Sequence, residues 1–247
     1  MSDDHVFAAH LAETAGRLLL ALRREPPLGA TVGAAGDRAS HRFLVDAIRN
    51  RHPADAILSE EAVDDLRRLH ATRVWIIDPL DGTREFGEDG REDWAVHVAL
   101  WQQGALAAGA VALPARAIVS STASTFSRLP ASVDGPLRFL VSRTRPPAVA
   151  LRVAGAMRAE LVPMGSAGAK TIAVTLGEAH AYIHAGGQYE WDSAAPAAVA
   201  AAAGLHVSRL DGSPLRYNQR DPSLPDLLVC RRDLANALLT SIAEADP

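Results

Sequence analysis

The 247-residue sequence holds one cysteine, Cys230, which excludes an intramolecular disulfide framework and suits a reducing compartment. In Leu227-Leu228-Val229-Cys230 that thiol reads as a small buried apolar side chain. Long apolar runs are missing too: the alanine-rich stretch near 194–205 is too short and too small-residued to span a bilayer. The N-terminus, Met1-Ser2-Asp3-Asp4-His5, is acidic rather than basic, and the apolar residues after it are broken by Glu13, Arg17 and Arg23. That is no targeting segment, so a cytoplasmic location is expected. Positive charge is not in excess. The 25 Lys and Arg face 29 Asp and Glu, a net charge of −4, which offers no electrostatic basis for binding a nucleic-acid polymer or an anionic membrane. A phosphate-bearing ligand would have to be attracted locally, by metal or by a few placed cations. No fixed period marks a repeat.

What is present is an ordinary soluble composition, 48% apolar and 22% charged, at a length that suits one large domain or two modest subdomains. Phe7, Leu11, Leu18 and Leu22 predict an amphipathic helix over 5–24, stopped by Pro26-Pro27. A Gly-rich connection from Leu28 to Gly36 leads to Asp37, and a second helix is predicted over 38–50. Ala56-Ile57-Leu58 predicts a strand running into Ser59-Glu60-Glu61. Arg73 to Asp78 predicts another, apolar on both faces and so inside a covered sheet. Residues 94–101 and 105–112 read as an antiparallel pair turned at Gln102-Gln103-Gly104. The Ser-, Thr-, Ala- and Pro-rich stretch 113–136 reads as a crossing between subdomains, 1–125 carrying most of the candidate site acids and 126–247 the substrate-recognising residues and the last site acid, Asp192. Strands are predicted at 137–142, 160–163 and 179–184. Helices are predicted at 147–158, from Gly165-Ser166-Ala167-Gly168-Ala169-Lys170, and at 194–203, with Pro196 in the first turn. A strand and helix close the chain around 226–242. Interleaved strands and helices define a layered α/β or α+β fold.

Acidic residues stand at the predicted strand ends: Glu60 and Glu61, then Asp78 and Asp81, with Asp192 far downstream. Asp78 ends an apolar strand and Pro79 turns the chain. Asp81 can then point back to the same place, with the Leu80 carbonyl as a further oxygen. Converging carboxylates repel and resist desolvation, and no Lys or Arg stands in this stretch before Arg84. A hard divalent cation resolves that conflict. An all-oxygen set suits Mg²⁺, and the absence of His and Cys from the Asp78–Thr83 motif argues against zinc. In Asp81-Gly82-Thr83, Asp or Thr can cap a helical turn, while Gly lets backbone N–H groups approach a phosphate. The alternative is an Asx-type turn carrying surface acids; the upstream Ser-Glu-Glu and the downstream Trp-Asp weigh against it.

Ser59-Glu60-Glu61, Trp75-Ile76-Ile77-Asp78-Pro79-Leu80-Asp81-Gly82-Thr83 and Trp191-Asp192-Ser193-Ala194-Ala195 resemble, in order and spacing, the signature blocks of the inositol monophosphatase superfamily. Asp78 to Phe86, Asp93-Trp94-Ala95-Val96-His97, Ala185-Gly186-Gly187-Gln188 and Asp211 to Asn218 most resemble its actinobacterial branch acting on 3′-phosphoadenosine 5′-phosphate (PAP). The resemblance implies an αβαβα sandwich and a lithium-sensitive phosphomonoesterase with two Mg²⁺, or three. By position, Glu60, Asp78 and the Leu80 carbonyl would hold one metal, and Asp78, Asp81 and Asp192 a second. Asp37 matches the acid that positions the attacking water beside a third, weaker metal, although Ala30 to Gly36 lacks the family's usual Lys and Val-Thr pair. Asp37, Glu60 and Thr83 are thus the expected catalytic set, and the Gly82 and Thr83 amides would hold the phosphate. The implied reaction is in-line attack by a metal-activated water on the 3′-phosphate of PAP, or of its sulfated form PAPS, in sulfur assimilation.

Recognition of the ester is expected from Glu60, Leu80, Asp81, Gly82, Thr83 and Asp192, together with two further segments. Val141-Ser142-Arg143-Thr144-Arg145 is similar to the loop that approaches the nucleotide in that branch; Arg143 or Arg145 could meet a second phosphate. A solvated basic loop is the alternative. Ser166 and Lys170 match the family's substrate-facing helix start, Ser166 toward sugar hydroxyls and Lys170 as the better-placed cation, with Arg84 a further candidate. His97 reads as a core histidine, His184 as support behind the site, and Tyr189 and Tyr217 as packing, with facing the adenine as their alternative role. Two other readings stay open: a broad phosphatase of inositol 1-phosphate or fructose 1,6-bisphosphate, and a phosphate-binding regulatory protein without turnover. The expected partner is a small phosphate ester, with monomer and homodimer both open.

Overall fold

The computed structural model describes residues 3–25, 31–126 and 135–245. Its first part comprises α1 (Asp3–Arg24), α2 (Val32–Arg51), β1 (Ala56–Ser59), β2 (Arg73–Asp81), α3 (Thr83–Gly87), β3 (Ala95–Gln102), β4 (Ala105–Leu113) and β5 (Ile118–Ser121). The second comprises β6 (Arg138–Ser142), α4 (Ala148–Met157), β7 (Glu160–Met164), α5 (Ala167–Thr175), β8 (Ala181–Tyr189), α6 (Glu190–Ala202), β9 (His206–Ser208), β10 (Ser223–Cys230) and α7 (Ala235–Ala245). One sheet is ordered β1-β2-β3-β4-β5, the other β7-β6-β8-β10-β9. Both mix parallel and antiparallel pairs: β1 runs parallel to β2, and β6 parallel to both β7 and β8.

Four buried cores separate five layers, helix and sheet in alternation. Leu11, Leu19, Leu44 and Ile48 of α1 and α2 pack on Trp75 and Ile77 of β2. The intervening residues, Val74 and Ile76, face the other way, toward Ile172 of α5 and Ala195 and Val199 of α6. A strand alternates its side chains between faces, so the run Val74 to Ile77 is apolar because both faces of β2 are covered, as its sequence implied. Val174 and Ala200 fill the other side of the middle layer against Leu140, Tyr182 and Val229. Phe139, Ile183 and Leu228 then meet Val153 of α4 and Leu238 and Ile242 of α7. The alanine-rich sequence of α6 follows from this sandwiching between two sheets, where small side chains let the layers close. Cys230 is buried, and burial pushes its thiol up to about 12. Among the described residues no helix is long and apolar enough to cross a membrane.

Some boundaries differ from expectation. α2 begins at Val32, not near 38, because the Thr31 hydroxyl accepts from the Ala34 N–H at 3.3 Å and caps it. Gly33 and Gly36 therefore lie inside a helix, where close packing requires them. A Cβ at Gly36 would approach Leu19 and Phe86 to 3.0 Å. The stretch 113–136 contains the edge strand β5, while 127–134, like Pro26-Pro27, lies outside the described residues. α6 begins at Glu190, four residues early, which puts Pro196 in its interior at the cost of one helical hydrogen bond.

Candidate active site

The register of β2 against β3 shifts between Asp78 and Asp81, so the strand buckles at Pro79 and presents both carboxylates on one side. The Leu80 N–H donates to Asp78 Oδ1 at 3.0 Å, which fixes the bend. Gly82 follows with φ +87° and is itself the N-cap of the short α3. Neither Asp81 nor Thr83 supplies a side-chain cap, a departure from the sequence expectation. Thr83 Oγ1 instead lies 3.1 Å from the Leu80 carbonyl and 3.4 Å from Asp37 Oδ1, joining β2 to α2.

Asp192 comes from the first turn of α6, where its carboxylate accepts from the Tyr189 N–H at 2.6 Å. Ligand oxygens of Asp78, Asp81 and Asp192 lie within 4.8 Å of one another. Glu60, just past β1, shares a hydrogen bond with Asp78. Burial, and then the charges of Glu60, Asp81 and Asp192, hold the Asp78 carboxyl well above the usual range. Burial and Asp81 push Asp192 up to about 7. Asp37 is likewise raised to about 7, by burial and then by Glu61 and Glu60.

Asp81 behaves in the opposite sense. Burial opposes its charge, but His97, the Ser166 hydroxyl and the Gly168 N–H outweigh that and hold it at about 2. Ser166 Oγ donates to Asp81 Oδ2 at 2.5 Å, and the Gly168 N–H at 2.8 Å. Ser166 takes a positive φ of 50° at the N-cap of α5, where its hydroxyl also accepts from the Ala169 N–H at 2.9 Å. His97, fully buried on β3 opposite Asp78, has Nε2 3.2 Å from Asp81 Oδ2 and Nδ1 3.1 Å from the Trp191 carbonyl. It is a core histidine, as read, but one that braces two of the acids. The only cue in the sequence was a lone imidazole inside an apolar strand neighbouring Asp78.

Four acids thus converge with His97 as the one basic side chain touching Asp78 and Asp81 among the described residues. The donor set is all oxygen, and its self-repulsion is what a bound cation relieves. The residues therefore fit a metal, and Asp78, Asp81 and Asp192 could hold one.

These acids form one end of a cleft of about 420 Å³ that gathers Glu60, Asp81, Gly82, Thr83, Ser142, Arg143, Ser166, Lys170 and Asp192, with Arg84 and Arg145. Leu80 is present through its carbonyl beneath Thr83, and Asp37 stands behind Thr83. A larger cleft of about 670 Å³ between α4, α7 and β10 carries no comparable acid cluster. Two cations in the site are already engaged. Arg143 donates from Nε to Glu85 at 2.6 Å and pairs with Glu88. Lys170, the sequence's single lysine, donates to the carbonyls of Met164, Gly165 and Ser166 at 3.3, 3.2 and 2.7 Å and lies over the Tyr182 ring. Burial lowers it to about 8. Ser142 accepts from the Arg145 N–H at 3.2 Å, shaping its loop. Asp93, which the sequence placed in a family-like segment without a role in the site, accepts from the Gly165 N–H at 2.6 Å.

Fold and acid cluster together define a phosphatase class: residues 29–245 match the model of the inositol monophosphatase family, and the chain belongs to that family. It is 55% identical over 240 residues to the 3′-phosphoadenosine 5′-phosphate phosphatase of Mycobacterium tuberculosis, covering 94% of this chain and 90% of that one. It is 53% identical over 254 residues to the Mycobacterium leprae protein of the same name, covering 98% and 94%. Among solved structures, CysQ from Bacteroides thetaiotaomicron, a bacterial member of the family, superposes with a TM-score of 0.79 at 25% identity over 93% of this chain and 97% of that one.

Proposed function

We propose that this protein is a Mg²⁺-dependent phosphomonoesterase that removes the 3′-phosphate of PAP, and of PAPS, leaving the 5′-nucleotide. The observation that carries this is the convergence of Asp78, Asp81 and Asp192 at the head of a cleft whose other walls bear arginines. The mycobacterial relatives named for that substrate support it. Glu60, Asp78 and the Leu80 carbonyl would hold one Mg²⁺, and Asp78, Asp81 and Asp192 a second. Bound there, the cations would lower the pKa of a water and neutralise the phosphate.

The chain's own residues do the positioning. Asp37, raised to about 7, can accept a proton near neutral pH, and the Thr83 hydroxyl joins it to the Leu80 carbonyl next to Asp81. The Arg84 and Arg145 side chains line the cleft with no side-chain hydrogen bond to protein among the described residues, so they are the cations available to a second phosphate. In this reading residues 1–125 carry most of the metal ligands, and 126–247 carry the residues recognising the ester and the last ligand, Asp192, in a cytoplasmic enzyme of sulfur assimilation.

Phosphate release from PAP, inositol 1-phosphate and fructose 1,6-bisphosphate, with Mg²⁺ and with chelator, tests the proposal. PAP should be preferred by at least about tenfold in kcat/KM, ~1.4 kcal/mol of transition-state discrimination, and chelator should stop turnover. Preference for a sugar phosphate would make this a broad phosphatase. Cleavage of none would leave a phosphate-binding regulatory protein.

A further inference from the structure

One wall of the cleft is unaccounted for by metal, phosphate or cation binding. It comes from β8, where the sequence Ala185-Gly186-Gly187-Gln188 interrupts the pairing with β10. Gln188 sits opposite Leu224 and Ala185 opposite Asp226, so β8 carries an extra residue at this point. Gly186 and Gly187 take φ of +83° and +70°, a conformation that side-chain-bearing residues rarely adopt. Such a bulge re-aims the residue that follows it.

That residue is Gln188, 3% exposed and lining the cleft. Its Oε1 is buried with no hydrogen-bond partner among the described residues. Its amide lies against the Tyr182 hydroxyl. His184, on the same strand and in the same cleft, also leaves Nε2 buried and unpartnered. The Gly186 backbone occupies the imidazole otherwise; burial and then the charge of Lys170 lower its pKa to about 4, so the ring is neutral and Nε2 is left as an acceptor. Buried acceptors without partners are rare in folded proteins, and each one destabilises the free state. Two such atoms in one ligand cleft, presented by a two-glycine bulge, are a built recognition edge.

We propose that Gln188 Oε1 and His184 Nε2 are the specificity-determining acceptors for a hydrogen-bond donor on the leaving group of the phosphate ester. This rests on the nucleotide reading above. An adenosine leaving group offers two such donors, the exocyclic amine of the base and the 2′-hydroxyl of the ribose. A site built to bond a substrate N–H or O–H rejects an analogue lacking it, because its own polar atoms stay unpaired.

The test compares wild type with Gln188→Met and His184→Phe on PAP, its 2′-deoxy analogue and its inosine counterpart, following both turnover and calorimetric binding. Wild type should disfavour one analogue by at least about tenfold; the inosine compound identifies the amine, the deoxy compound the hydroxyl. In each variant kcat/KM for PAP should fall, and the gap between PAP and that analogue should close. If PAP is cleaved but neither analogue is disfavoured, or the variants keep the gap, the acceptor edge is wrong and the PAP reading stands. If PAP binds in a Gln188-dependent way without being cleaved, the proposed activity fails and the acceptor edge stands. If PAP is neither bound nor cleaved, both fall.

Discussion

A Cβ at Gly168 would fall 2.1 Å from Nε2 of His97. The missing side chain at the start of α5 is what lets a buried imidazole on β3 reach Asp81, while the Gly168 N–H donates to the same carboxylate at 2.8 Å. Through its contact with the Trp191 carbonyl at 3.1 Å, His97 also sets α6, and with it Asp192, against β2. The acids are held together from behind by uncharged or singly charged groups that leave their front open.

Gly168→Ala should therefore damage both stability and chemistry. His97 is fully buried and has no room to retreat, so the clash should cost about 1–3 kcal/mol. Thermal denaturation and phosphate release measure the two effects. Wild-type values in both would show that the His97 ring is not confined.

Asp81→Asn should abolish turnover while the fold persists. The amide oxygen can still accept from Ser166 or Gly168, but the charge that attracts a cation is gone. A loss well beyond the roughly 10–100-fold typical of outer-sphere changes is expected, with an unaltered circular dichroism spectrum. Near-normal rates would remove Asp81 from the metal site.

The acid cluster should make the Mg²⁺ response depend on pH. Asp192 and Asp37 have folded pKa values raised to about 7, against about 3.9 when unfolded. The folded state then binds more protons than the unfolded one, so stability from these groups falls as pH rises from about 4 through about 7. Mg²⁺ competes with those protons and relieves the repulsion left when they leave. The Mg²⁺-induced rise in melting temperature should be larger at about pH 8 than at about pH 5.5. Equal shifts at both values would contradict the raised pKa values.

Lys170→Arg should not preserve function. A compact ammonium reaches three carbonyls converging from one turn, whereas a planar guanidinium directs its donors differently. Lys170→Met should destabilise the loop carrying Ser166 by about 1–3 kcal/mol and lower kcat/KM similarly for PAP and inositol 1-phosphate. A loss confined to PAP would mean that Lys170 meets the second phosphate.

Arg145→Ala should raise KM for PAP by about tenfold with kcat little changed, the pattern of lost uniform binding, and should barely affect inositol 1-phosphate. Steady-state kinetics on both esters decide this. An equal effect on both would make Arg145 part of the cleft wall only.

The elements were legible where periodicity was strong. The alternation in β2 announced a strand covered on both faces, and Leu11, Leu18 and Leu22 announced α1. The start of α2 was not legible: Gly33 and Gly36 carry the usual signal of a loop, and only the nearness of Leu19, Phe86 and Thr83 shows that they are there to make room. β5 and β9 were missed because short edge strands hold too few residues to display a period.

In the site, residue types and spacing along one turn, Asp78 to Thr83, read with Ser59-Glu60-Glu61 and Trp191-Asp192, pointed to a cation-binding acid cluster. A strand broken by proline places two carboxylates together whatever surrounds it, and their repulsion calls for a cation. The tertiary structure decided everything that depends on long side chains finding partners. It engaged Arg143 with Glu85 and Glu88, turned Lys170 onto its own loop, left Arg145 open, and set His97 behind Asp81. The reason is range: backbone geometry carries information over a few residues, whereas a hydrogen bond needs two groups within about 3 Å, brought there from segments far apart in the chain.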